Sequence, residues 1–463
     1  WLAGCAPVRD PRPWDELAAN LRGKLLRPGA PEFAQRARPW ALEYASTLPQ
    51  GIAQCAGEED VRTCLQWAQA NAVPLVARSG GHSYAGYSTT TGLMIDVSAM
   101  NAVAYDQDTH QATLGGGARN KNVYDALTPL GRAVTHGRCL GVGAAGLVLG
   151  GGIGFNMRLH GLTCDQLAAT RVVLADGTVL TCSEGENADL FWACRGAGGG
   201  NFGIHTSFTF DTFPVGNYTV FNITWAERLP DLFWAVLDMI ETAPPTLGLK
   251  MSISATRQAG ANALKLNLLG QLAGTRAELD ALLAPILAVQ APLSAEIQEG
   301  PYWAGQPLLS DEGSPQYSHE RSRFVAGSLS GQAVETILAN MEAWPGTGSV
   351  ADWKFFFLFV SADAHQRQDM AFVHRGYTML SSIELEWLAS DSAATVAENV
   401  RWLDDFHAEM EQYTSPYSYQ NFIDPYQENY LQAYYAENLP RLQAVKRKYD
   451  PRNVFHYPQS IPA

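Results

Sequence analysis

Two side chains carry the sharpest chemistry in this 463-residue sequence, Cys139 and His82. Cys139 stands just ahead of residues 141–154, GVGAAGLVLGGGIG, a run of fourteen in which seven are glycine. Glycine at that density costs backbone entropy, so it marks a place where the chain must pass very close to something. Bare backbone N–H groups there suit an anionic cofactor. His82 lies in a second glycine-containing stretch, RSGGHSYAGYS, which follows a strand-like run at residues 74–77. Loops at the carboxyl end of a strand are where α/β proteins tend to place ligands. A lone histidine is more often structural, but a thiol and an imidazole that share a site can both attack an electron-poor ring system once deprotonated.

Other templates for this chemistry fail. GVGAAG at residues 141–146 matches the dinucleotide fingerprint letter for letter. A true fingerprint follows a strand and opens a helix. Here His136-Gly137-Arg138-Cys139 is no strand end, and residues 147–154 hold four more glycines, a poor composition for a helix. The sequence has no P-loop, no His-Glu-x-x-His and no Gly-x-Ser-x-Gly, and its ten histidines show no metal-ligand spacing, so no catalytic metal is expected.

The bulk properties fit a two-domain protein with 46% apolar and 17% charged residues. A net charge of −14 argues against nucleic acid as a partner. No apolar run approaches the roughly 20 residues of a spanning helix. Leu-Ala-Gly-Cys at residues 2–5 looks like a lipobox, so the chain is expected to be exported, with Cys5 a lipidation site. Seven cysteines leave five beyond Cys5 and Cys139. Two disulfides drawn from Cys55, Cys64, Cys182 and Cys194, with Cys164 buried, form one coherent count. All five reduced and buried is the other.

The elements that must position these residues fall into three segments. Residues 1–214 read as strands and helices around the two glycine stretches, with a hairpin turning at Ala175-Asp176-Gly177. From residue 215 to 416, six strand-like runs (218–225, 249–256, 263–270, 324–328, 353–360 and 379–387) alternate with helical patterns at 229–242, 276–289, 333–342 and 394–412. This predicts an α+β fold, its second domain an antiparallel sheet with helices packed on one face. Residues 417–463 are expected to return to the first domain.

RSGGHSYAGYS, HGRCLGVG, GLTCDQL, LADGT, ENADLFWACRGAGGGNFGI and NLPRLQAVKRKYDPRNVF, in that order, resemble the berberine bridge enzyme-like flavoproteins. Their superfamily is that of vanillyl-alcohol oxidase and p-cresol methylhydroxylase (PCMH). The resemblance implies a PCMH-type fold and FAD held by two covalent bonds, from His82 to the 8α position and from Cys139 to C6. It further implies that Arg78, Ser79, Gly80, Gly81 and Ser83 cradle the pyrophosphate. Val142, Gly143, Gly146, Gly151, Ile204 and Asn421 would line the cofactor. Val142 falls at the family's oxygen gate, where a small residue goes with O2 access. Leu147 replaces a histidine common near the flavin's pyrimidine edge.

Tyr419, in Tyr419-Gln420-Asn421-Phe422-Ile423-Asp424, resembles part of the family's Tyr-x-Asn-Tyr-x-Asp and is expected to act as the base. Tyr84 resembles a pocket tyrosine of sugar-oxidising members. On residues 379–387, period two places Ser382, Glu384 and Glu386 on one face, from which a sheet covering the flavin would present Glu384 or Glu386 to substrate; a solvated face is the other reading. Asp363 and His365 are weaker pocket candidates, and Trp225, Trp303, Trp353 and Trp387 are candidates for stacking on sugar faces. The expected activity is oxidation of a small-molecule or oligosaccharide carbinol at C1, with O2 reduced to H2O2. The rivals are an oxidase or cyclase of a secondary metabolite, and a flavoprotein without turnover.

Overall fold

A computed structural model describes residues 12–258, 260–357 and 369–463. Cys5, Asp363 and His365 lie outside them. The first half is built on two sheets. In the smaller, strands Lys24–Leu26, Gly51–Gln54, Leu93–Asp96 and Leu75–Arg78 lie in that order, the last three mutually parallel. Helix Glu58–Ala70 makes the crossover and buries Val61, Leu65 and Ala68, the face its 3.6-residue period predicts. The larger sheet is antiparallel, ordered Val103–Asp106, Gln111–Gly115, Ile204–Asp211, Leu167–Val173 and Val179–Ser183.

The stretch after Cys139 forms a short helix, Ala144–Leu149, that stops at the glycines of residues 150–154, the part expected to make a poor helix. Ala144, Ala145, Val148 and Leu149 supply enough buried apolar surface to hold one and a half turns, and Gly150 ends it. No strand enters this helix among the described residues. Gly143 is joined to Arg119 by an isolated bridge only, so the dinucleotide fingerprint remains a decoy. All six described cysteines are free thiols. Cys55 lies against Cys64, and Cys194 Sγ lies 3.8 Å from His205 Nε2.

The second sheet has seven antiparallel strands, one more than the sequence pattern shows. Their order is Ser294–Pro301, Asn217–Trp225, Ala261–Leu272, Leu247–Gln258, Val350–Phe357, Met379–Trp387 and Tyr317–Val325. Helices Leu229–Thr242, Arg276–Val289, Gly331–Glu342 and Ala393–Glu409 cover one face, sharing a core with Ile253, Trp353, Phe355, Ile383 and Leu385. The other face turns toward the first half.

After Tyr417 the chain returns to the first half. Tyr419, Tyr434, Tyr435, Leu442 and Ile461 join the core that contains Val148, Leu149 and Phe191. A fully buried ion pair fixes this segment: Lys446 Nζ lies 2.8 Å from Asp450 and donates to the carbonyls of Asn201 and Phe455, both at 2.6 Å. Asp450 in turn accepts from the backbone N–H groups of Val454 and Phe455. Removing one partner of such a pair strands the other charge, at a cost of about 3–5 kcal/mol. Lys446→Met is therefore expected to lower the thermal unfolding midpoint clearly, measured by calorimetry, and the Lys446→Met/Asp450→Asn double variant to recover part of the loss.

Candidate functional site

The first half and the uncovered face of the seven-stranded sheet enclose a cavity of about 640 Å³. Its floor is the Ser79–Tyr84 loop, the chain around Cys139 and the glycine turns at Gly146 and Gly198–Gly200. Two backbones touch here. A Cβ on Gly80 would stand 2.3 Å from the Gly143 nitrogen, and one on Gly143 would stand 2.5 Å from the Gly80 nitrogen. No residue with a side chain fits at either position, which is the physical reason both stretches are rich in glycine.

That contact brings His82 and Cys139 together across fifty-seven positions of sequence. A Cβ on Gly313 would lie 3.1 Å from His82 Nε2 and 3.2 Å from Cys139 Cβ, so both side chains border one point at the same end of the cavity. Trp40 stacks on the imidazole, with centroids 4.3 Å apart. Burial pulls the His82 pKa down to about 4, so the ring is neutral and its lone pair is available at physiological pH. His82 Nε2 is buried without a hydrogen-bond partner, as is Ser79 Oγ, which borders Gly143. Burial pushes the Cys139 thiol up to about 12, opposed by Arg138, which pairs with Asp311 at 2.7 Å.

Ser79, Gly80, Gly81, Ser83, Val142, Gly143, Gly146, Ile204 and Asn421 all line the cavity. Two residues expected there do not. Arg78 does not line it: its Nε donates to the carbonyl of Ser88 and its Nη1 to those of Arg36, Ala37 and Arg38, which fastens the loop. Gly151 backs onto Phe372, whose ring would be 2.9 Å from a Cβ placed there, so its glycine serves packing. Asn421 Nδ2 donates to the Leu147 carbonyl at 2.9 Å and to Tyr419 Oη at 3.0 Å, tying the C-terminal segment to the glycine stretch.

Tyr419 is 1% exposed. Its hydroxyl oxygen accepts from Gly152 N and Asn421 Nδ2, both at 3.0 Å, and burial raises its pKa to about 12 against those two donors. Phe422 packs between it and Tyr84, with ring centroids 5.2 Å and 5.7 Å away. Tyr84 lines the cavity between Trp40 and Phe422.

The roof is charged. Glu384 and Glu386 face the cavity, as period two predicts, together with Lys250 and Lys354, which sequence reasoning missed. Strand register sets Glu320, Glu384 and Asp352 side by side on three adjacent strands. Like charges opposite one another destabilise a sheet. Lys354, from the next rung, offsets this by reaching Glu320 at 2.9 Å and Glu384 at 2.5 Å. Its one sequence signal was a lysine inside the aromatic run Trp353-Lys354-Phe355-Phe356-Phe357. Gln316, also missed, donates to Glu386 at 3.1 Å. Of the candidate tryptophans, Trp225 and Trp353 are fully buried in the second core, Trp303 packs against His136, and Trp387 lies tilted against Tyr317. They serve packing.

Unpartnered buried Nε2 and Oγ atoms, bare glycine backbone and a soft nucleophile beside a neutral imidazole fit an FAD. Ser79–Ser83 and the glycine turns would hold its phosphates and ring. The sequence comparisons agree. The FAD binding domain family matches residues 49–183, and the berberine and berberine-like family matches residues 418–462. The FAD-linked oxidoreductase YgaK of Bacillus subtilis is 33% identical over 96% of this chain and 97% of its own. Glucooligosaccharide oxidase of Sarocladium strictum is 32% identical over 88% of this chain and 86% of its own. A solved glucooligosaccharide oxidase from Acremonium strictum, with a 6-S-cysteinyl, 8α-N1-histidyl FAD, superposes with a TM-score of 0.81 at 27% identity, covering 96% of this chain and 98% of that one. With its α+β, PCMH-type fold, the chain belongs to the berberine bridge enzyme-like family of FAD-linked oxidoreductases.

Proposed function

We propose that this protein is an oxidase of sugar or oligosaccharide carbinols, acting at C1 and reducing O2 to H2O2, with FAD bonded to His82 and Cys139. The observation that carries it is the meeting of a neutral imidazole, whose Nε2 has no hydrogen-bond partner, and a thiol at one end of a single cavity. A relative that carries an FAD bonded to both histidine and cysteine supports the linkage, and carbohydrate-oxidising relatives support the donor class. Bound FAD supplies a hydride acceptor that O2 can reoxidise. The residues of the chain do the rest. Ser79, Gly80, Gly81 and Ser83 anchor the cofactor, and Gly143, Gly146 and Ile204 shape its bed. Val142, small and beside Cys139, leaves room for O2. Apolar Leu147, Phe155 and Leu249 keep water out of one wall, while Tyr84, Glu384 and Glu386 offer polar groups to a substrate rich in hydroxyls.

A two-point attachment makes a specific demand. His82→Ala and Cys139→Ala are each expected to keep the flavin on the denatured chain through the remaining bond, and the double variant to release it, read as flavin fluorescence on a denaturing gel. Loss of flavin from either single variant would contradict the double linkage.

The donor class is tested by H2O2 production on a panel of oligosaccharides and phenolic alcohols. Turnover of oligosaccharides is expected, whereas turnover of the phenolic alcohols alone would move the protein to secondary-metabolite oxidation. Glu386 adds a pH dependence. Burial, Glu384 and Asp352 raise its pKa to about 7, against hydrogen bonds from Ser349 and Gln316. It is thus neutral below about pH 7 and an anionic acceptor for sugar hydroxyls above it. KM for the oligosaccharide is expected to fall as pH rises through 7, and Glu386→Gln to flatten that slope.

A further inference from the structure

Among the described residues, three lysine or arginine side chains line the cavity: Arg138, Lys250 and Lys354. Two of them are neutralised, Arg138 by Asp311 at 2.7 Å and Lys354 by Glu320 and Glu384 together. Lys250 has neither a hydrogen bond nor an ion pair among the described residues. The chain holds 46 acidic residues against 32 lysines and arginines, so carboxylates are plentiful, yet none is placed to reach this ammonium. Burying a cation without a partner is costly, and groups held at that cost concentrate where ligands bind.

On strand Leu247–Gln258, Leu249, Met251 and Ile253 enter the helix-covered core, so Lys250 projects from the opposite face, toward the cavity. Its direct cross-strand neighbours are apolar, Phe356 on one side and Leu269 on the other. Lys354 stands diagonally across from it, roughly 7–8 Å away between Cα atoms. Burial, then the charges of Arg138 and Lys354, lower the Lys250 pKa to about 8, against Asp352 and Glu384. The side chain is therefore still an ammonium at neutral pH, and the cations around it outweigh the anions. We infer that Lys250 is a carboxylate subsite and that the preferred donor is an acidic sugar, either a uronic acid or an oligosaccharide that contains one. One unpaired cation balances one negative charge, which suits a carboxylate. A phosphate dianion would bring a second charge toward Asp352 and Glu384. The hydroxyls of the sugar meet Glu384, Glu386 and Gln316, while its carboxylate accepts from Lys250 Nζ.

This subsite rests on the carbinol-oxidase reading, and measuring binding and turnover side by side separates the two. Isothermal titration calorimetry on the holoenzyme compares glucuronate with glucose, and cellobiouronate with cellobiose, while H2O2 release follows turnover of the same four sugars. The acidic member of at least one pair is expected to show a dissociation constant and a KM about 10–100-fold below those of its neutral partner, the range of a charge-assisted hydrogen bond. Lys250→Met is expected to abolish that preference, and Lys250→Arg to keep most of it. Equal affinity within both pairs, or a preference that survives Lys250→Met, overturns the subsite while the oxidase reading stands. Tighter binding of glucose 6-phosphate than of glucuronate overturns the carboxylate assignment. Calorimetric binding of an acidic sugar with no H2O2 from any of the four overturns the oxidase reading and leaves the subsite in place.

Discussion

Everything in this site depends on one contact, the approach of the Gly80 and Gly143 backbones to a separation at which neither residue can carry a Cβ. The Leu75–Arg78 strand delivers one side of it and the Gly143 end of a short helix delivers the other. Once the two backbones meet, His82 and Cys139 follow from chain geometry, two residues beyond the contact and four before it. Arg78 is the brace, its four carbonyl acceptors fastening the loop to residues 36–38 and to Ser88. The backbone N–H groups stay open because nothing else can approach them as closely as a ligand can.

The roof obeys a different constraint. A sheet that must face a polyhydroxylated ligand turns charged groups inward, and burying them is expensive unless they are paired. Lys354 meets that condition for Glu320 and Glu384 together. The opposite face of the same strand carries Trp353 and Phe355 into the apolar core, so period two separates chemistry from packing within eight residues. The Lys446–Asp450 pair plays the matching role below the cavity, holding the C-terminal segment against Asn201.

Chemistry written in local spacing was legible in the sequence. The glycine stretches, His82, Cys139 and the alternation on Met379–Trp387 needed no partner to be read. Features that depend on register were not. Lys354 becomes meaningful only when three strands align Glu320, Glu384 and Asp352, and Gln316 belongs to the site through a loop far away in sequence. Strand Ser294–Pro301 went unseen because it is a sheet edge, exposed on nearly every residue, with no alternation to detect. Strand Tyr317–Val325 was placed too late because Arg321 and Arg323 face inward onto Asp424, Asp404 and Glu411, which masks the apolar period. Arg78 and Gly151 sit inside motifs of the right type yet serve the scaffold. Motif membership located the neighbourhood, and only side-chain direction separated ligand contacts from supports.

The most direct test of the account is the mass of the intact, denatured holoprotein. The geometry at His82 and Cys139 predicts a single species heavier than the bare chain by one FAD, less the hydrogens lost in forming two bonds. Proteolysis should then yield one flavin-linked product joining the His82 and Cys139 peptides. A chain at its unmodified mass, with FAD free in solution, would contradict it.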